Sequence, residues 1–105
     1  MQITINTDNH IEGNDRRENY FSEVLNEKLK RFEDKITGLE IHLTDENSSE
    51  KTAVADIRCL MEARINGLAP QAVTNHAESV ELAIKGAADK MKKLLEHTFD
   101  KMRTH

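Results

Sequence analysis

Lys90, Lys93, His97 and Lys101 recur at intervals of three and four residues. On an α-helix, at about 100° per residue, that spacing stacks them on one outward side nearly free of acids. A second set, Arg17, Lys28, Arg31 and Lys35, falls along one edge of an apolar stripe nearer the N-terminus. Cations held in rows on rigid helices suit one kind of chemistry: neutralising a polyanion backbone without reading its sequence. The plainer alternative is a solvated helix surface laced with i,i+4 ion pairs, and charge spacing alone does not choose between them. On the last helix Lys85, Lys92 and Arg103 lie on the opposite side, mixed with Glu81, Asp89, Glu96 and Asp100, so that side neutralises itself.

Other chemistries find less support. There is no phosphate-binding Gly-rich loop and no nucleophile elbow. Cys59 falls on the inward face of a strand pattern and reads as a core thiol. Asp8, His10 and Glu12, and again Asp45, Glu46 and Asn47, have neither zinc spacing nor a calcium-loop pattern and read as solvated loops. His76, His97 and His105 are dispersed and read as surface residues. Tyr20, Phe21, Phe32 and Phe99 sit at or near apolar stripes and read as core residues, not as a base-stacking platform. The expectation is a protein that binds, with no catalytic residue, no metal and no cofactor.

The elements that must carry these residues follow from hydrophobic period. Ile3 and Ile5 alternate with Gln2, Thr4 and Asn6, a half-buried strand. Residues 7–14 read as a loop, with Asn14 or Asp15 a helix N-cap and Glu18 completing the cap. A helix is expected from about Asp15 to Lys35, its stripe formed by Phe21, Leu25, Leu29, Phe32 and Ile36, with Gly38 as the C-cap. Leu39, Ile41 and Leu43 alternate as a second strand, and residues 45–50 form an acidic turn. A long third strand places Ala53, Ala55, Ile57, Cys59, Met61 and Ala63 on one face. Asn66-Gly67 signals a hairpin into a fourth strand over Leu68 to Asn75, where Pro70 implies an edge or irregular position. The last helix is expected from about Glu78 to Arg103, with a stripe that runs from Val80 through Met91 and Phe99 to Met102. Gly86 inside it costs about 1 kcal/mol against Ala, which close packing on the first helix or the sheet would explain.

The order β-α-β-β-β-α gives an α+β two-layer sandwich: a four-stranded, mostly antiparallel sheet with two helices packed on one face. The strands flanking the first helix are expected to be parallel neighbours or separated. A chain of 105 residues suits one domain over 1–105. At 37% apolar and 32% charged residues it is wetter than average yet globular. One cysteine excludes an internal disulfide. No stretch approaches the ~18 apolar residues of a membrane span, and the N-terminus lacks the pattern of a signal peptide. A formal net charge of −4 counts against general nucleic-acid binding, so the placement of the cations matters more than their total.

Several segments resemble the ribosome hibernation-promoting factor family, also known as ribosome-associated inhibitor, sigma-54 modulation or subunit-interface proteins. Lys28-Leu29-Lys30-Arg31-Phe32-Glu33-Asp34-Lys35-Ile36 is similar to that family's basic, aromatic helix end. Ala83-Ile84-Lys85-Gly86-Ala87-Ala88-Asp89-Lys90-Met91-Lys92-Lys93-Leu94 is similar to its last helix, and residues 58–64 and 72–76 look like a divergent short branch. The departures are Ser79 and Glu81 near the places of an acid and an aromatic, Lys85 for an acid, and His97 where lysine is frequent. The resemblance implies a cytoplasmic protein on the small ribosomal subunit, in the channel of messenger and transfer RNA, that blocks translation and stabilises idle ribosomes under stress. Lys28, Lys35, Lys90, Lys93 and Lys101 match positions where family members carry basic residues that face ribosomal RNA. Arg17 and Arg31 join them on charge geometry. No DNA, membrane or small-molecule partner is expected. The alternative is a protein-interaction module on the same fold that has lost RNA binding, which the net acidity and Glu81 motivate.

Overall fold

The computed structural model describes residues 1–8, 15–46 and 56–103. The elements are β1 (Gln2–Thr7), α1 (Asp15–Lys28), a single 3-10 turn (Lys30–Phe32), β2 (Ile36–Asp45), β3 (Ile57–Ile65), β4 (Gln71–Ala77) and α2 (Val80–Arg103). The strands lie in the order β1-β2-β3-β4. β1 runs parallel to β2, Ile3 beside Leu39 and Ile5 beside Ile41. β3 is antiparallel to both its neighbours, with Met61 opposite Ile41 on one side and Val73 on the other. This is the expected α+β sandwich.

Burial follows the alternation read from the sequence. Leu39, Ile41 and Leu43 of β2 and Ile57, Cys59, Met61, Ala63 and Ile65 of β3 are buried. They meet Phe21 and Leu25 from α1, Leu29 just after it, and Val80, Ile84, Ala87, Ala88, Met91 and Leu95 from α2 in one core. A polar side chain placed at these positions would be left without a partner, which is why the period of each strand decides its facing. The other sheet face stays open to solvent. It carries half-buried Glu40, His42, Arg58, Leu60 and Glu62 and exposed Arg64.

The structure corrects the first helix. α1 ends at Lys28, not Lys35. Leu29 leaves α geometry (φ −107°, ψ 14°). The Phe32 N–H then bonds Leu29 O at 2.9 Å and the Lys35 N–H bonds Phe32 O at 2.9 Å, which tightens the chain into a turn. Ile36 belongs to β2 and pairs with Ile65. Gly38 is therefore a strand residue beside a register shift, not a C-cap. Leu29, Phe32 and Ile36 remain buried, since spacings of three and four serve a 3-10 turn as well as a helix. The pairing of Ile36 with β3 overrides helix propensity over residues 29–36.

Three other boundaries move. β3 begins at Ile57, and the expected Ala53 and Ala55 lie outside the described residues. β4 covers Gln71–Ala77 instead of Leu68 to Asn75; it is an edge strand, and Pro70 directly precedes it. Asn66-Gly67 does turn the chain, with Gly67 at φ 81° and the Leu68 N–H bonded to Ile65 O at 3.2 Å. Pairing resumes only at Gln71 opposite Ala63, so the connection is longer than a two-residue hairpin. α2 starts at Val80 because Ser79 caps it: its Oγ accepts from the Leu82 N–H at 3.2 Å.

Met102 and Tyr20 depart from the core reading: they are 51% and 44% exposed. Met102 lies on the apolar side of α2 in its last turn, beside Phe99 at the mouth of a groove, and stays half exposed there. Cys59 is buried as expected, and burial pushes its thiol up to about 12, so it is an inert core group at neutral pH.

Candidate nucleic-acid interface

α2 is held at a fixed rotation by two neighbours. On one side, a Cβ at Gly86 would stand 2.8 Å from Asn75 Cγ, so the helix lies directly against β4 there. Asn75 Nδ2 donates to Ala83 O at 3.1 Å and more weakly to Leu82 O at 3.5 Å. One turn on, Lys90 Nζ donates to the Thr74 carbonyl at 2.8 Å. On the other side α2 faces α1. Tyr20 Oη donates to Glu81 at 2.5 Å, Lys28 Nζ pairs with Asp89 at 2.8 Å, and Arg31 lies 3.7 Å from Glu96.

These contacts sort the predicted cations into two groups. Lys90, Lys93 and Lys101, with His97, follow the β4 side of α2. Lys93 and His97 are exposed and have no hydrogen bond or ion pair among the described residues. Lys90 holds a strand carbonyl, a neutral partner that leaves its charge uncompensated. Arg17, Lys28, Arg31 and Lys35 lie on α1 and the turn after it, across the crest of α2. Lys28 and Arg31 face carboxylates of α2. Arg17 sits 5.8 Å over the Phe21 ring, Arg31 5.3 Å over Phe32, and Lys35 5.3 Å over Phe99. The two rows therefore do not merge into one patch. Asp89 and Glu96 stand between them and turn half of the α1 row into an interhelix clamp.

Glu81, one of the departures from the family pattern, is neutralised where it stands. Lys85 pairs with it at 3.1 Å and Tyr20 donates to it. The Tyr20 hydrogen bond, followed by Lys85, holds the Glu81 carboxyl below the usual carboxylate range. The same bond to Glu81 raises the Tyr20 hydroxyl, and Glu81 raises Lys85. Helix spacing predicts the i,i+4 partner Lys85; Tyr20 lies too far away in sequence to have been found that way.

The groups that could have carried other chemistry are dispersed. Asp8 Oδ2 accepts from the Asp45 backbone N–H at 3.0 Å, tying the end of β1 to the end of β2. His10, Glu12, Asn47 and His105 lie outside the described residues. His76 faces Asp56 at 3.2 Å. Among the described residues no group of three or more His, Cys, Asp or Glu side chains is placed to hold a metal ion. No helix among them is long and apolar enough to cross a membrane.

Solved structures share this layering. The N-terminal domain of Thermus thermophilus Protein Y superposes with a TM-score of 0.72 at 16% identity, covering 93% of this chain and 99% of that one. A ribosomal subunit interface protein from Coxiella burnetii gives 0.71 at 12% identity, covering 95% and 99%. At such identities the likeness is one of fold. No curated protein matches the sequence. Over residues 3–103 the sequence itself carries a family pattern, and the chain belongs to the family described as sigma 54 modulation protein / S30EA ribosomal protein.

Proposed function

We propose that this protein associates with the ribosome by contacting small-subunit ribosomal RNA in the channel of messenger and transfer RNA. Occupying that channel inhibits translation sterically and stabilises idle ribosomes under stress in the cytoplasm. It acts by binding and has no catalytic step. The family membership and the fold shared with a subunit interface protein support the ribosomal partner. The observation that carries the RNA contact is the β4 side of α2, where Lys90, Lys93, His97 and Lys101 form a row on one rigid helix while Asp89 and Glu96 of that helix pair with α1 and the turn after it. Lysines in such a row neutralise phosphates and release counterions, and the fit to folded RNA comes from shape. In this reading Arg17, Lys28, Arg31 and Lys35 are a second contact line.

The test is co-sedimentation with small subunits at two salt concentrations. Binding weakens as salt rises, and changing Lys90, Lys93 and Lys101 together to Glu abolishes it; Lys93→Glu alone, which leaves the Lys90–Thr74 bond in place, weakens it while the melting curve is kept. Undiminished sedimentation of the triple variant would remove the row from the interface.

A protein-interaction module is the second reading. It is favoured by the Lys28–Asp89 and Arg31–Glu96 pairs, which compensate much of the α1 row internally. A partner retained from ribonuclease-treated lysate, with no ribosome association, would select it.

A further inference from the structure

We infer that the groove between the Lys30–Phe32 turn and the last turns of α2 seats one unstacked nucleobase of the bound RNA. This rests on the ribosomal RNA reading and adds a contact that charge alone does not supply. The groove is lined by Arg31, Phe32, Lys35, Phe99 and Met102. Phe32 and Phe99 lie nearly parallel, with centroids 5.6 Å apart and an interplanar angle of 22°. Phe32 is buried and Phe99 half-buried, so the stack runs from the core out to the surface. Met102 continues it as an exposed apolar side chain that no described element covers.

The rims are cationic. Lys35 Nζ stands 5.3 Å over the Phe99 ring and has no ion pair among the described residues. Arg31 lies over Phe32, with Glu96 at 3.7 Å. A flat apolar floor under two cations is complementary to a group that is itself flat on one side and anionic on the other. A nucleotide has that form. Its base rests on Phe99 and Met102, and Lys35 swings from the ring face to the phosphate. Glu96 opposes an anion at this rim, so Arg31 contributes only when it turns from that carboxylate. An apolar side chain of an acidic peptide is the competing occupant, but the family's ribosomal character favours RNA.

The experiment uses the full chain and small subunits, with Met102→Ser and Phe99→Leu as separate variants. Met102 is exposed, so its replacement leaves folding intact even where Phe99→Leu does not. Met102→Ser is expected to weaken binding about fivefold to tenfold, in the range of one lost base stack, without changing the dependence on salt. Chemical probing of the bases should show one position whose reactivity changes on binding of the parent protein and reverts with the variant. Parent-like affinity of both variants on subunits that the parent does bind would overturn the groove alone. Weakened binding with no reverting base would also overturn it and favour a peptide occupant. Failure of the parent protein to bind subunits would remove the RNA reading and the groove with it.

Discussion

Gly86 stands in mid-helix where alanine would ordinarily add about 1 kcal/mol of stability. Its neighbour Asn75 reverses the sign. A methyl group there meets the Asn75 amide, and retreat of that amide breaks its bonds to Ala83 O and Leu82 O. Gly86→Ala is expected to destabilise the parent chain by about 1 kcal/mol, and to stabilise an Asn75→Ala chain by up to about 1 kcal/mol. A double-mutant cycle from urea melts measures this; additive effects would show that the two side chains do not meet. Tyr20 offers a second residue-level test because it is the only tyrosine. Its hydroxyl is raised above the ordinary 10.0 by its bond to Glu81. The interaction is therefore complete below 10.0 and is lost as pH rises through the raised value. An ultraviolet titration of tyrosinate should shift toward 10.0 in Glu81→Gln; an unmoved curve would place the hydroxyl elsewhere. Spacing along the chain points to close packing at Gly86, on the first helix or the sheet, but not to Asn75, and it reads Tyr20 as core, because each contact depends on a partner from another element.

At the scale of elements, the two helices are held by charge as well as by packing. Lys28–Asp89 crosses from α1, and Arg31–Glu96 from the turn after it, to α2, each pair joining a half-buried group to an exposed one. Such surface pairs contribute little to stability, typically about 0–1 kcal/mol. Their larger effect is on what the cations are free to do. A phosphate must displace a carboxylate to reach Lys28 or Arg31. Replacing Asp89 with Asn and Glu96 with Gln is thus expected to tighten RNA binding severalfold with little change in melting temperature, read by filter binding and calorimetry. Weaker binding would assign the carboxylates themselves to the interface. The end of α1 belongs to this scale too. Residues 29–36 keep a helical period and hold no Gly or Pro, yet Ile36 is taken by the ladder with Ile65. Periodicity told which residues turn inward; it did not tell which backbone carries them there.

At the scale of the whole molecule, an acidic chain presents a cationic strip. The formal charge of −4 is a sum over the whole chain, whereas Lys90, Lys93 and Lys101 share one side of one helix. Screening confines each charge to roughly 8 Å at physiological salt, so a phosphate senses the strip more than the total. If each of the three lysines meets a phosphate, replacing any one of them with Gln lowers the salt slope of binding by about one. An unchanged slope would mean that shape, not counterion release, holds the complex.

What the sequence determined by itself is the facing of nearly every residue within its own element, from Cys59 inward to Lys93 outward, together with the sandwich that those elements must form. Period is a local property, and burial rewards one face of each strand and helix whatever its neighbours are. Only the tertiary structure decided how the faces meet: the end of α1 at Lys28, Asn75 under Gly86, and the acids of α2 aimed at the cations of α1. Those outcomes rest on the rotation and slide of one element against another, set by summed contacts between residues distant in sequence, and no spacing along the chain encodes them singly.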